Sequence, residues 1–290
     1  AVMLTEVITA EIRSDQLKKS VDEAIETLLK DLQRGHTEDY LRLLRFWSRF
    51  HRYSHANVLL IMAQRPTATQ VAGYHAWRRL GRQVKQGAKS IWIWRPIIRK
   101  IADEQTGLPV DQCIGFTPCP VFDAQDLTDI ATNPLPLLWR PLPDDAQTLY
   151  QFLSARIEEA GFTIREKRLL PGRQGSTSPT GVITLADNLD SRTRIMVVLH
   201  ELAHGLEHFR AERLEAHRLQ MELEAESASA VVCAMLGLEH PSARDYILSY
   251  HGSAEDLKAS LGAVKRIVGK MVTLLGLDEP DEERALAMTG

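Results

Sequence analysis

The sequence predicts an α+β protein of two domains, residues 1–132 and 133–290. Three observations lead there. At 290 residues the chain is long enough to split into two modest cores. Helical periodicity gives way, between Ala68 and Pro96 and again between Phe162 and Ala186, to short alternating runs punctuated by glycine. Four prolines fall within the eleven residues Asn133–Pro143, where no helix can continue and an extended connector fits.

Residues 14 to about 33 read as an amphipathic helix with Ser14 as its N-cap. A second helix is expected from about Thr37 to Arg52. Its Leu43, Phe46, Trp47 and Phe50 form an apolar stripe, while Arg42, Arg45, Arg49 and Arg52 line a different face. Ser54 can cap a third helix that ends before Pro66. Gly73, Gly81 and Gly87 punctuate the next stretch with turns. Ile91-Trp92-Ile93-Trp94 alternates as a strand ending at Pro96, and Pro118–Phe122 forms another short strand. In the second half a helix spans Ala146–Ala160, with strands at Phe162–Glu166 and Gly181–Ala186. A last helix runs from Ala254 to about Leu275, where Gly276 stops it.

Some classes are excluded. No apolar run approaches the ~20 residues of a membrane span, and the start lacks a secretory pattern, so a cytoplasmic protein with no membrane partner is expected. Cys113, Cys119 and Cys233 form no CxxC pair and are expected as reduced thiols.

The net charge of −3 hides an asymmetry: residues 41–102 hold thirteen Lys or Arg and no acid. Such a block points to a polyanion-binding surface. Eight aromatics are interleaved with it: Phe46, Trp47, Phe50, Tyr53, Tyr74, Trp77, Trp92 and Trp94. Aromatic rings in a cationic groove hold single strands by stacking, and no duplex-reading motif is present. The candidate contacts to single-stranded DNA are Arg42, Arg45, Arg49, Arg52, Tyr53, Trp77, Arg78, Arg79, Arg82, Lys85, Lys89, Trp92 and Trp94. Phe46, Trp47 and Phe50 are assigned to the core. In the 91–94 strand one face is core and the other is not, which leaves both tryptophans either buried or available for stacking.

The densest chemistry lies at His200-Glu201-Leu202-Ala203-His204. On a helix two histidines four apart share a face and reach one metal ion, while the glutamate between them can take a proton from a metal-activated water. Ile195, Val198, Leu199, Leu202, Leu206 and Phe209 give that helix a buried stripe. Hydrolytic zinc sites take three protein ligands. The helical run from Met221 offers Glu222 as the third, with Glu226 on the same face to orient a ligating histidine and Glu224 pointing away. Glu224 and Glu226 remain alternative ligands, and His208 falls outside the ligand set. The expectation is one Zn2+ on His200, His204 and Glu222, with Glu201 as the catalytic base.

Phe50–Ile61 with Gln64-Arg65-Pro66, then Trp77–Gly87, then Pro120-Val121-Phe122-Asp123, resembles the N-terminal domain of ArdC-type antirestriction proteins over about residues 35–125. The second half resembles the same family and the ImmA/IrrE-type peptidases, through His200–His204 and Glu222–Glu226 with Ala230. The resemblance implies an N-terminal α+β nucleic-acid-binding domain that takes single-stranded DNA, followed by a C-terminal zincin-like metallopeptidase domain, in a protein that protects incoming DNA on a mobile element. Two alternatives stay open: a DNA-binding protein with a structural metal site, and a peptidase that cleaves a regulator. No motif identifies the protein substrate. Tyr246, Tyr250 and His251 are candidates for the transition-state stabiliser, which the resemblance does not supply.

Overall fold

Ile91 and Ile93 are buried while Trp92 and Trp94 lie half-buried on the opposite face, as a period of two requires of a strand with one face on a core. The computed structural model that shows this describes residues 2–102, 108–133, 135, 142–209, 218–240 and 252–277. Its elements in chain order are helices α1 (Val2–Gln33), α2 (Glu38–Arg49) and α3 (His55–Gln64), strand β1 (Val71–Ala72), helix α4 (Tyr74–Arg79) and strands β2 (Ile91–Ala102) and β3 (Pro109–Asp123). They continue with helix α5 (Ala146–Glu159), strands β4 (Thr163–Lys167), β5 (Gly175–Thr177) and β6 (Val182–Ala186), and helices α6 (Ser191–Ala203), α7 (Arg218–Met235) and α8 (Ala254–Leu274). The protein is therefore mixed α and β. Among the described residues no helix is long and apolar enough to cross a membrane. Tyr246, Tyr250, His251 and most of the proline-rich connector lie outside the described residues.

The chain forms two units, one of Ala1–Ala24 with Ala56–Leu135 and the other of Ile25–His55 with Pro136–Gly290. The expected division at residue 132 followed chain order, whereas packing decides otherwise for 25–55. Tyr40, Leu43, Leu44 and Trp47 are each at most 1% exposed because α2 packs on α7, and the Tyr40 hydroxyl lies 2.9 Å from Ser227 Oγ.

In the first unit the sheet order is β1-β3-β2, all antiparallel, over a small core of Trp77, Val84, Ala124 and Leu127. Pro96 does not end β2, because β2 is an edge strand and the missing N–H removes no ladder bond that the sheet needs. Pro118 and Pro120 are tolerated inside β3 for a related reason. They oppose Trp94 and Trp92, whose backbone groups turn away from β3 and bond to α3 instead. Asn57 Nδ2 donates to Trp94 O and Trp94 N donates to Asn57 Oδ1, each at 2.8 Å. Gln64 does the same for Trp92 at 2.8 and 2.9 Å. Two amide side chains thus stand in for a neighbouring strand. Ser14 lies inside α1 and caps nothing, since helical residues already precede it from Val2.

In the second unit the sheet order is β4-β6-β5, with β4 parallel and β5 antiparallel to the central, mostly buried β6. Helix α8 begins with a capping box between Ser253 and Asp256, ends before Gly276 (φ 65°) and packs on α7.

Candidate metal centre

Helix α6 starts where Asp190 accepts a hydrogen bond from Thr193 N at 3.0 Å. Ile195, Val198, Leu199 and Leu202 are fully buried and anchor one side of it. At His204 the winding widens to a π-helical turn, His204–His208, a form that favours functional sites. The wider turn shifts the residues after it out of phase with the α-helical stripe. Leu206 is consequently only partly buried and Phe209 is 38% exposed, against the expectation of a stripe continuing through both. Close packing supports the turn: a Cβ on Gly205 would stand 2.6 Å from Phe162 Cε1.

His200 Nε2 and His204 Nε2 lie 3.1 Å apart, and Glu222 Oε2 is 3.4 Å from the first and 3.5 Å from the second. Ligands bonded at 2.0–2.1 Å around a tetrahedral ion would be separated by about 3.3 Å, so this donor set fits one divalent cation. The fit extends outward. Glu226 Oε2 accepts from His200 Nδ1 at 2.8 Å, which turns Nε2 toward the site. Glu226 Oε1 is 3.4 Å from His240 Nδ1, and His240 Nε2 lies 3.1 Å from Ser229 Oγ. Glu224 does not line the cavity that Glu222 and Glu226 face. It is fully buried and lies 3.1 Å from His208 Nε2, in the π-helical turn.

Glu201, 8% exposed, lines the same cavity of about 730 Å³ as His200, His204 and Glu222. Thr177 Oγ1 donates to Glu201 Oε2 at 2.7 Å. Gly175 Cα lies so close that a Cβ there would stand 2.8 Å from Glu201 Oε1 and 2.6 Å from Val197 Cγ1. Edge strand β5 therefore presses the carboxylate into place. Burial opposes charge on His200, but Glu222 and Glu226 outweigh it and push its pKa up to about 10. The two imidazoles in turn hold the Glu222 carboxyl far below the usual range. Burial also lowers His240 and raises the Cys233 thiol to about 12.

The cationic block divides between the units. Arg42, Arg45, Arg49 and Arg52 are exposed and Tyr53 is half-buried, all in the second unit. In the first unit Arg78, Arg79, Lys85 and Lys89 are exposed. Two candidates for DNA contact are instead core residues. Trp77 is 3% exposed and donates from Nε1 to Phe122 O at 3.0 Å. Arg82 is 6% exposed, with Nε on Asp129 at 3.1 Å and its guanidinium also on Asn133 O. Trp92 and Trp94 resolve to the face away from the core, where the Arg13 guanidinium lies 3.7 Å over the Trp92 ring. Phe116, missed by the sequence analysis, extends that face. It opposes Pro96 in the register that pairs Trp92 with Pro120 and Trp94 with Pro118, and it is 63% exposed. Alternation carried back from Val121 would have found it.

Comparison with known proteins bears on both halves. Residues 10–115 match the N-terminal domain of anti-restriction factor ArdC. The fold is that of ArdC. The crystal structure of antirestriction ArdC protein from the R388 plasmid, in its metal-free form, superposes with a TM-score of 0.55 at 18% identity, covering 88% of this chain and 97% of ArdC. Its Mn(II)-bound form superposes with a TM-score of 0.55 at 19% identity, covering 90% and 98%. An uncharacterised Bacillus anthracis protein is 22% identical over 87% of this chain, which spans 50% of that relative's length.

Proposed function

We propose that this chain is an antirestriction protein of the ArdC kind, binding single-stranded DNA and carrying a zincin-type, metal-dependent peptidase centre. One observation carries the reading: three donor atoms from α6 and α7 converge within 3.1–3.5 Å in a cavity that also holds Glu201. His200, His204 and Glu222 would hold the ion. Two imidazoles and a carboxylate suit Zn2+, and the Mn(II) in the R388 ArdC structure supports a divalent ion more broadly. A cation there would supply Lewis acidity to a peptide carbonyl and acidify water. The Glu201 carboxylate, on the cavity wall, would take a proton from water and hand it to the leaving amine. Thr177 supports this by holding one carboxylate oxygen in a fixed orientation.

The DNA half rests on the exposed Arg78, Arg79, Lys85 and Lys89 of the first unit and on Trp92, Trp94 and Phe116, three aromatics that share one face of the β2–β3 hairpin. Glu201→Gln tests the catalytic half. It keeps the hydrogen bond from Thr177 and nearly the same volume but cannot take a proton. Cleavage of unfolded protein substrates, assayed with and without single-stranded DNA, is expected to vanish while metal content and DNA affinity persist. Antirestriction activity unchanged by this substitution would reduce the centre to a structural metal site.

A further inference from the structure

The route by which His204 is held differs from that of His200. Glu226 touches the His200 ring directly. The distal nitrogen of His204 meets a second imidazole instead: its Nδ1 lies 2.7 Å from Nδ1 of His208. His208 in turn places Nε2 3.1 Å from Glu224 Oε2, and Gln220 Nε2 donates to Glu224 Oε1 at 3.0 Å. His208 and Glu224 side chains are 2% and 0% exposed. A carboxyl group at such depth needs hydrogen-bond partners, and His208 and Gln220 supply one to each oxygen.

A cation on His204 Nε2 would select one arrangement of the protons in this chain. For His204 to offer the Nε2 lone pair to a cation, its proton must sit on Nδ1 and be donated to His208 Nδ1. His208 then carries its own proton on Nε2 and donates it to Glu224, whose other oxygen accepts from Gln220. Every donor in the relay meets an acceptor. The reverse arrangement would put the His204 proton on the nitrogen facing the site and leave a His208 lone pair against a carboxylate.

We propose that His208 and Glu224 are positioning residues for the metal centre. They form a two-step relay that fixes the tautomer and ring orientation of His204, as Glu226 does in one step for His200. The relay rests on the proposed metal centre and extends it to residues outside the ligand set. His208 sits in the π-helical turn and reaches Glu224 on α7 from there.

The test measures cation affinity, not activity. The full-length protein is stripped of metal and titrated with Zn2+ by calorimetry, and with Co2+ by its visible absorption. His208→Phe, which keeps the ring volume, is expected to weaken Zn2+ binding roughly 10–100-fold and to alter the Co2+ bands. Glu224→Gln should give a smaller loss, and His208→Gln, whose amide can both accept and donate, should recover part of it. Nitrogen-15 spectra of the Zn2+-loaded wild type read the tautomers without any substitution: His204 should carry its proton on Nδ1 and His208 on Nε2. The opposite tautomers, or a folded His208→Phe protein with unchanged affinity and bands, would overturn the relay and leave the metal centre standing. A wild-type protein that takes up neither ion would overturn the metal centre itself, and the relay with it.

Discussion

Asn57 and Trp94 are joined by a reciprocal pair of hydrogen bonds, the amide side chain of one completing both backbone groups of the other at 2.8 Å. Asn57 is 8% exposed, so neither bond is readily replaced by water. Asn57→Leu is expected to destabilise the protein by about 2 kcal/mol, because it leaves an N–H and a C=O unsatisfied. Gln64→Leu, at a more exposed position, should cost less. Urea denaturation followed by tryptophan fluorescence measures both.

The two classes of tryptophan in the first unit should separate under substitution. Trp92→Ala and Phe116→Ala are expected to weaken single-stranded DNA binding by roughly 1–3 kcal/mol per lost stacking contact, with little change in melting temperature. Trp77→Phe should do the opposite, lowering stability through the lost bond to Phe122 O while leaving affinity intact. Fluorescence anisotropy with a labelled oligonucleotide across a salt series reads the first effect, and thermal melting reads the second.

Gly175→Ala adds a methyl group where no room exists, 2.6 Å from Val197 Cγ1 and 2.8 Å from Glu201 Oε1. A stability loss of about 1–3 kcal/mol is expected from overpacking. Hydrolytic activity should fall further than stability, since the carboxylate that moves is the proposed base. Comparing activity at a temperature where both proteins remain folded distinguishes the two.

The metal-free protein should show a characteristic pH response. His200, raised from its ordinary 6.5 to about 10, contributes stability that is complete below 6.5 and disappears as the pH rises through 10. Glu222 is depressed from 4.5, so its contribution is complete above 4.5 and fades as the pH falls through its lower folded-state value. The melting temperature of the metal-free protein is therefore expected to peak between about pH 4.5 and 6.5. Cation binding must displace a proton from His200, so affinity should rise with pH over the range in which metal-free stability falls. Differential scanning calorimetry with and without Zn2+ checks both trends.

Much of the centre was legible in the chain because a spacing of four on a helix is local geometry, and it brought together His200, His204, Glu222 and Glu226. The partner of Glu224, His208, was not legible. Spacing reports which face of α7 a residue occupies but not what a neighbouring segment brings to that face, and the π-helical turn at His204 has no period to read. Strand β5 was missed because Gly175–Thr177 is three residues long, too short to alternate visibly. The outer half of the β2–β3 hairpin was missed because Pro96 and Pro118 read as strand ends. Their tolerance depends on which backbone groups face α3, and that is a tertiary fact. Trp77 and Arg82 were misread because charge and aromatic content do not distinguish a side chain in the core from one facing solvent.

Glu222, Glu224 and Glu226 all ride on α7, which makes the ligand and both supporting carboxylates a single mechanical part. A slip of that helix by one residue, about 1.5 Å along its axis and roughly 100° about it, would withdraw all three together. The centre should therefore be lost or kept as a whole, with no intermediate in which the glutamate leaves and both histidines stay aimed. Tyr40, fastened to Ser227 in the turn after those glutamates, then acts as the detent that holds the setting.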